Sequence, residues 1–358
     1  MKPHMPQHSP PTSLRRELGV GGAVLLGLGS MLGSGVFVAL GLAAGLASPG
    51  HNIMGILMAI SAAGLLALCN GLSAAQLAGV FPASGGTYEY AHKVGWPAAG
   101  AAAGTLFLVA KSASAATAAL GLAGYLLEYF NAPQLAVPGA LAMIAMAAVI
   151  TLEGIRRSNR ANTVLVGITL AGLALFVFAI LRENSQTITS NGVTSPPSTS
   201  VSNGLKATAL LFVAFTGYGR VATLGEEVQN PRQTVPKAVV ITVLLCLVIY
   251  TGVAIAAIGA VGGETFAQFS RTGRGPLEAV AAAIQLSPAV GVGTAIAAIA
   301  ALFGVILNLL LGLSRVLLAM GRRGHLPKRF AQIDASGQSP VAAVLLATGL
   351  VAGLAAMG

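Results

Sequence analysis

The chain has 358 residues, 55% of them hydrophobic and only 8% charged, with a mean hydropathy of +0.81 and a net charge of +10. Soluble domains carry roughly 25% charged residues, so the composition excludes a water-soluble fold and describes a protein whose solvent is a lipid bilayer. The excess of positive charge does not point to a nucleic-acid partner, because no polar segment is long enough to present a basic face on a soluble domain.

In chain order, residues 1–18 form a polar, proline-bearing segment with Lys2 and the Arg15-Arg16 pair, expected to be a cytoplasmic tail. The apolar run that follows far exceeds the roughly 7–15 residues of a signal-peptide core, so it is expected to remain as a membrane helix. A span needs about 20 mainly apolar residues. Nine helices are expected, near 19–46, 52–78, 97–127, 134–152, 162–181, 205–225, 236–262, 286–318 and 340–357. Between the fifth and sixth, residues 183–204 are rich in Ser, Thr, Asn and Pro and are expected to be an external loop. Most of the 20 lysines and arginines, including Arg156, Arg157, Arg160, Arg232, Arg322 and Arg323, fall on the side of the N-terminus. Arg182, Lys206, Arg271 and Arg274 fall on the other. Basic residues stay on the cytoplasmic side, so a multi-pass protein of the plasma or inner membrane with a cytoplasmic N-terminus is expected. Cys69 and Cys246 lie in apolar runs and read as core residues, and the spacing of His51, His92 and His325 suggests no metal site.

Two glycine-rich stretches, residues 29–37 and 212–219, interrupt long apolar segments. Hydrocarbon offers no replacement partner for a freed backbone group, so a break in mid-membrane belongs where it faces protein, water or a ligand. On the expected topology the first helix runs outward and the sixth inward. Two broken helices of opposite direction are what an inverted repeat of five plus five helices gives, and they point to a transporter's substrate site. The first repeat is then 19–182, and 205–358 holds helices six to nine of an incomplete second repeat.

At these residues the chain resembles the amino acid–polyamine–organocation (APC) superfamily of permeases. Met31-Leu32-Gly33-Ser34-Gly35-Val36-Phe37 resembles that family's first broken helix. Phe81-Pro82-Ala83-Ser84-Gly85-Gly86-Thr87-Tyr88-Glu89-Tyr90 is similar to its loop after the second helix. Ala214-Phe215-Thr216-Gly217-Tyr218 with Glu226-Glu227 and Asn230-Pro231-Arg232 resembles the sixth helix and its exit, and Ser314-Arg315 with Gly324-His325-Leu326-Pro327 resembles the end of the eighth. The resemblance implies an all-α, leucine-transporter-like fold with substrate held between helices one, three, six and eight. It implies that a substrate carboxylate meets backbone N–H groups around Gly33, Ser34 and Gly35. The substrate's amino group would then meet freed carbonyls that map to Met31, Val213 and Thr216. Helix N-termini attract anions and C-termini attract cations, in agreement with that assignment. Phe215, Gly217 and Tyr218 are expected to complete the walls.

The chain also departs from the pattern. Many members of the superfamily carry an acid where Gly219 stands, so a neutral amino acid is expected rather than a cationic one. Arg220 follows, either facing a substrate carboxylate or forming a gate pair with Glu226 or Glu227; those two acids are also expected to pair with Arg156, Arg157 or Arg322. Lys111 lies in the middle of the third span, where a charge is costly and by default functional. It is expected to face the cavity and couple transport to protons. Thr169 stands where some relatives carry a lysine, and is a second coupling candidate; Asn308 is a polar candidate for the substrate site or for a bond between helices. Leu309 replaces a large aromatic lid.

The expected function is a secondary active transporter of amino acids that works by alternating access. It is no enzyme and needs no cofactor: a proton gradient, or failing that sodium, supplies the energy, and no nucleotide-binding loop is present. A non-transporting amino-acid sensor or membrane subunit, or an inactive truncated permease, is the alternative, since the sequence ends after the ninth expected helix. Oligomeric state is not legible.

Overall fold

The structure, a computed structural model, describes residues 14–130, 132–191, 199–271, 275–334 and 339–358. Most of the expected tail with Lys2, the middle of the expected external loop, and Arg274 lie outside the described residues.

Helix α1 (Val20–Met31) stops where Leu32 leaves helical geometry at φ −79°, ψ 70°. A π-helical turn, Gly35–Ala39, then leads into α2 (Leu40–Ala47), and the two halves are bent by 43°. Helix α3 (Met54–Val80) ends before Pro82, as a residue preceding proline disfavours helical backbone. Gly85 and Gly86, at φ +113° and +55°, turn the chain into the short α4 (Thr87–Lys93). Then follow α5 (Pro97–Tyr129), a 3-10 turn (Pro133–Leu135), α6 (Ala136–Leu152) and α7 (Ile155–Asn191). Helix α8 (Val201–Phe215) is capped by Ser200, whose hydroxyl accepts the Asn203 N–H at 3.3 Å. It tightens into a 3-10 turn (Thr216–Tyr218) and resumes as α9 (Gly219–Thr223). Helices α10 (Pro231–Val261), α11 (Gly263–Arg271), α12 (Pro276–Ala283), α13 (Pro288–Arg322) and α14 (Val341–Ala356) complete the order.

Among the described residues, all nine expected segments are helical and no strand is present, only isolated bridges. Five helices, α3, α5, α7, α10 and α13, are each long and apolar enough to cross a membrane, and the bent pair α1–α2 makes a sixth. Helices α6 and α14 have 17 and 16 residues, about 25 Å at a rise of about 1.5 Å per residue. Helix α13 is the hub: 89% of its apolar window is buried, against 44% or less for the other long spans, and α5, α6, α7 and α14 all pack on it.

Two expectations need correction. Helix α7 begins at Ile155 rather than near 162 and runs to Asn191 rather than ending near 181, so helix enters the stretch expected as external loop. Hydropathy marks where the lipid ends, whereas backbone hydrogen bonding continues into polar sequence. The short α4, α11 and α12 were not expected either, because none is long or apolar enough to register as a span.

At the basic end, the N-terminal segment and the chain after α9 are stitched together. The N–H groups of Glu17 and Leu18 both donate to the Glu227 carbonyl at 2.9 Å, and Gln229 N–H donates to the Leu18 carbonyl at 2.8 Å. Ser84 bridges to Leu224 beside them.

Candidate functional site

Both helix breaks open onto one cavity of about 760 Å3, within the range of roughly 300–1,000 Å3 usual for small-molecule sites. Of the residues singled out from sequence, Met31, Gly33, Ser34, Gly35, Lys111, Val213, Thr216, Gly217, Tyr218 and Arg220 line it. Gly217 lets the breaks meet: a Cβ there would lie 2.6 Å from Met31 Cγ and 2.8 Å from the Ser30 carbonyl oxygen.

The two breaks differ in kind. In the first, the chain leaves the helix outright, and Ser34, Gly35 and Val36 open the next one, where the leading N–H groups have no preceding carbonyl in the helix. The second is not unwound. Thr216 and Gly219 keep right-handed helical φ/ψ, and the turn merely narrows to 3-10. The carbonyls expected to be freed are correspondingly engaged. Met31 O accepts from Gly33 N–H at 2.9 Å and from the Tyr250 hydroxyl at 2.8 Å. Val213 O accepts from both the N–H and, at 2.7 Å, the hydroxyl of Thr216. Thr216 O receives the Gly219 N–H, which leaves one lone pair.

Lys111, on α5, reaches the second break directly, its Nζ donating to Thr216 Oγ1 at 3.4 Å. Arg220, one turn past that break, is 5% exposed and donates through Nη1 to Thr223 Oγ1 at 2.9 Å. Its Nε and Nη2 are buried with no partner among the described residues. Among the described residues, no Asp or Glu lines the cavity.

Gly219 and Leu309 line the cavity as well, whereas Phe215, Thr169 and Asn308 lie off its wall. Phe215 is fully buried behind it, its ring 5.0 Å from that of Tyr250. Thr169 donates to its own helix at Leu165 O, 2.8 Å, and to Ala297 O of α13 at 3.5 Å. Asn308 Nδ2 donates to Asn162 Oδ1 at 2.6 Å, and Asn162 Nδ2 to Leu25 O at 2.8 Å, which ties α13, α7 and α1 together.

A set of ion pairs lies at the basic end of the molecule. Arg220 pairs with neither Glu226 nor Glu227. Glu227 is held by Arg315 in a fully buried two-pronged pair, Oε1–Nη2 at 2.6 Å and Oε2–Nε at 3.2 Å. Glu226 meets Arg322 and accepts the Ser84 N–H at 3.2 Å. Arg157, one of the expected partners of these acids, instead pairs with Glu153 at 2.6 Å. Glu89 on α4 takes Arg323 in a second two-pronged pair, both bonds 2.7 Å.

Sequence reasoning missed Tyr250, Asn162 and the roles of Glu89 and Arg315. Tyr250 gave one signal: a hydroxyl in the middle of an apolar span needs a partner.

A helical bundle whose first and sixth expected spans are interrupted around a central cavity is the architecture of a secondary transporter. The amino acid permease family matches residues 18–357, and the chain belongs to that family. It is 36% identical over 355 residues to an uncharacterized transporter of Mycobacterium tuberculosis, covering 97% of this chain and 75% of that protein. It is 27% identical over 354 residues to the branched-chain amino acid permease BcaP of Bacillus subtilis, covering 92% and 72%. A methylthioribose transporter of the same bacterium is 28% identical over 372 residues, covering 95% and 74%. The crystal structure of MhsT in complex with L-phenylalanine superposes with a TM-score of 0.68 at 16% identity, covering 95% of this chain and 79% of that one. The chain therefore has the leucine-transporter-like fold.

Proposed function

We propose that this protein is a secondary active transporter that carries a neutral or acidic amino acid across a cell membrane by alternating access, driven by protons. The observation that carries the reading is the one cavity onto which both helix breaks open, with Ser34 and Gly35, whose N–H groups open the helix after the first break, on its wall. Those groups suit a carboxylate. The remaining lone pair of Thr216 O is the acceptor best placed for an ammonium group. A cationic side chain is disfavoured, because Lys111 and Arg220 line the cavity and no carboxylate does.

The ion pairs at the basic end support alternating access. They join the end of α13 and the Arg322–Arg323 corner to the chain after α9 and to α4, the surfaces that must part for the cavity to open on that side. Basic residues on that side favour a cytoplasmic assignment for it. Lys111 is the proposed proton carrier: a neutral amine would still bond Thr216 Oγ1, so its proton can leave without disrupting the second break.

The test is uptake into proteoliposomes with an imposed pH gradient, set beside ligand binding in detergent. Accumulation that needs the gradient and disappears in Lys111→Ala is the expected result. Full gradient-driven uptake in Lys111→Ala would remove the coupling role, and binding without accumulation would favour a sensor instead.

A further inference from the structure

Resting on that reading, we infer that the cavity holds a second anion subsite at Arg220, and that the preferred substrates are amino acids with an acidic side chain.

Arg220 is a cation with no ion-pair partner among the described residues. Its environment contains one carboxylate, Glu227, which attracts it, and one further guanidinium, Arg315, which repels it. Glu227 gives both oxygens to Arg315. Arg220 keeps one hydrogen bond, to the neutral Thr223 hydroxyl, while its Nε and Nη2 remain unpartnered in a 95%-buried side chain. A buried, unpaired charge costs several kcal/mol, and the Nε–Nη2 edge is the one that takes a carboxylate with two parallel bonds. Among the described residues no protein acceptor meets that edge, although it is packed against protein; Arg220 forms part of the cavity wall, so a turn of its side chain presents the edge to an anion in the cavity.

The second cation strengthens the case. Lys111 Nζ, bonded to the Thr216 hydroxyl, puts a second positive charge on the cavity wall. A neutral zwitterion therefore meets two cations with one carboxylate, whereas a dicarboxylic amino acid meets them with two. Thr216 and Arg220 are four residues apart, roughly 6–8 Å along a tightened helix. That offset suits a molecule whose α-carboxylate lies at the helix breaks and whose side chain runs along the helix toward Arg220. Glycine at 219 adds no side chain between them.

The experiment compares acid and amide pairs of nearly equal shape. Radiolabelled counterflow in proteoliposomes is competed with glutamate against glutamine and aspartate against asparagine. Wild type is expected to favour at least one acid over its amide by tenfold or more. Arg220→Gln is expected to erase or invert that ratio, and Arg220→Lys to keep part of it. Should Arg220→Gln fail to fold, thermal shifts of the wild-type protein in detergent with the same four ligands decide the point. Amides bound within threefold of their acids would overturn the subsite while leaving the transporter reading intact. If no amino acid, acidic or neutral, binds or exchanges, the transporter reading fails with it.

Discussion

Glu227→Gln is the sharpest single perturbation of the basic end. Glu227 and Arg315 are both fully buried and share two hydrogen bonds, at 2.6 and 3.2 Å. The amide keeps the shape and one acceptor, but its NH2 then faces an Arg315 donor. Two guanidinium groups, Arg315 and Arg220, are left with no carboxylate between them. Removing one partner of a buried pair costs about 3–5 kcal/mol, because the other charge stays buried. The backbone carbonyl of Glu227, which holds the N-terminal segment, is untouched, so the cost falls on the side-chain contact with α13. At about 1.4 kcal/mol per tenfold, that shifts a closed–open equilibrium by roughly two to three and a half powers of ten. The assay is labelling of Ser114→Cys on the cavity wall, in a Cys69→Ser background, with a membrane-impermeant thiol reagent applied from the basic side. Wild type is expected to be protected and Glu227→Gln to label rapidly. Unchanged labelling together with a stability loss below about 0.5 kcal/mol would refute the reasoning, for a pair of so little weight is a surface ion pair in all but position.

Two further outcomes test the packing. Asn308→Ala removes the donor to Asn162 Oδ1 and should cost about 1–3 kcal/mol, measured by thermal or denaturant unfolding in detergent, while the paired change Asn162→Leu with Asn308→Leu should cost less than the single one. Burial pushes the Tyr90 phenol, on α4, well above its ordinary value, and burial raises Tyr88 as well. The folded protein therefore holds these protons after the unfolded chain has released them. That contribution to stability is full below pH about 10 and is lost as the pH climbs beyond it. Tyr90→Phe, which also gives up the bond to Ala222 O, should flatten the alkaline decline in part and leave the share due to Tyr88; a decline equally steep in both proteins would count against the assignment.

The sequence carried the lipid-facing part of this fold and little of its charge pairing. Span positions follow from hydropathy, and the two interruptions follow from glycine inside apolar runs, both local signals. The partner of Glu227 is 88 residues away on α13, and nothing local distinguishes Arg315 from Arg220 as its ally. Packing makes the choice, through which guanidinium can present Nε and Nη2 together to the carboxylate. The second break was misjudged for a related reason. Glycine in Thr216-Gly217-Tyr218 permits unwinding, but the glycine is used instead for close approach to Ser30 and Met31, and the backbone stays helical. Tyr250 then fills part of the role expected of a substrate amino group, at the Met31 carbonyl.

The segment from α8 through α9 and beyond thus arranges its charges in series. Lys111 touches it at Thr216, Arg220 follows one turn on, and Glu227 lies beyond α9 at the basic end. Arg220 belongs to both neighbourhoods, as a wall of the cavity and as a like charge beside Arg315. An anion that pairs with Arg220 from the cavity side would offset its repulsion of Arg315, leaving the Glu227–Arg315 pair stronger. Substrate and ion pair would then stabilise each other, and such coupling is reciprocal. On this argument Glu227→Gln should weaken acidic substrates more than their amides, although residue 227 lies outside the cavity wall. An equal loss for acid and amide would separate the two neighbourhoods and confine Glu227 to the gate.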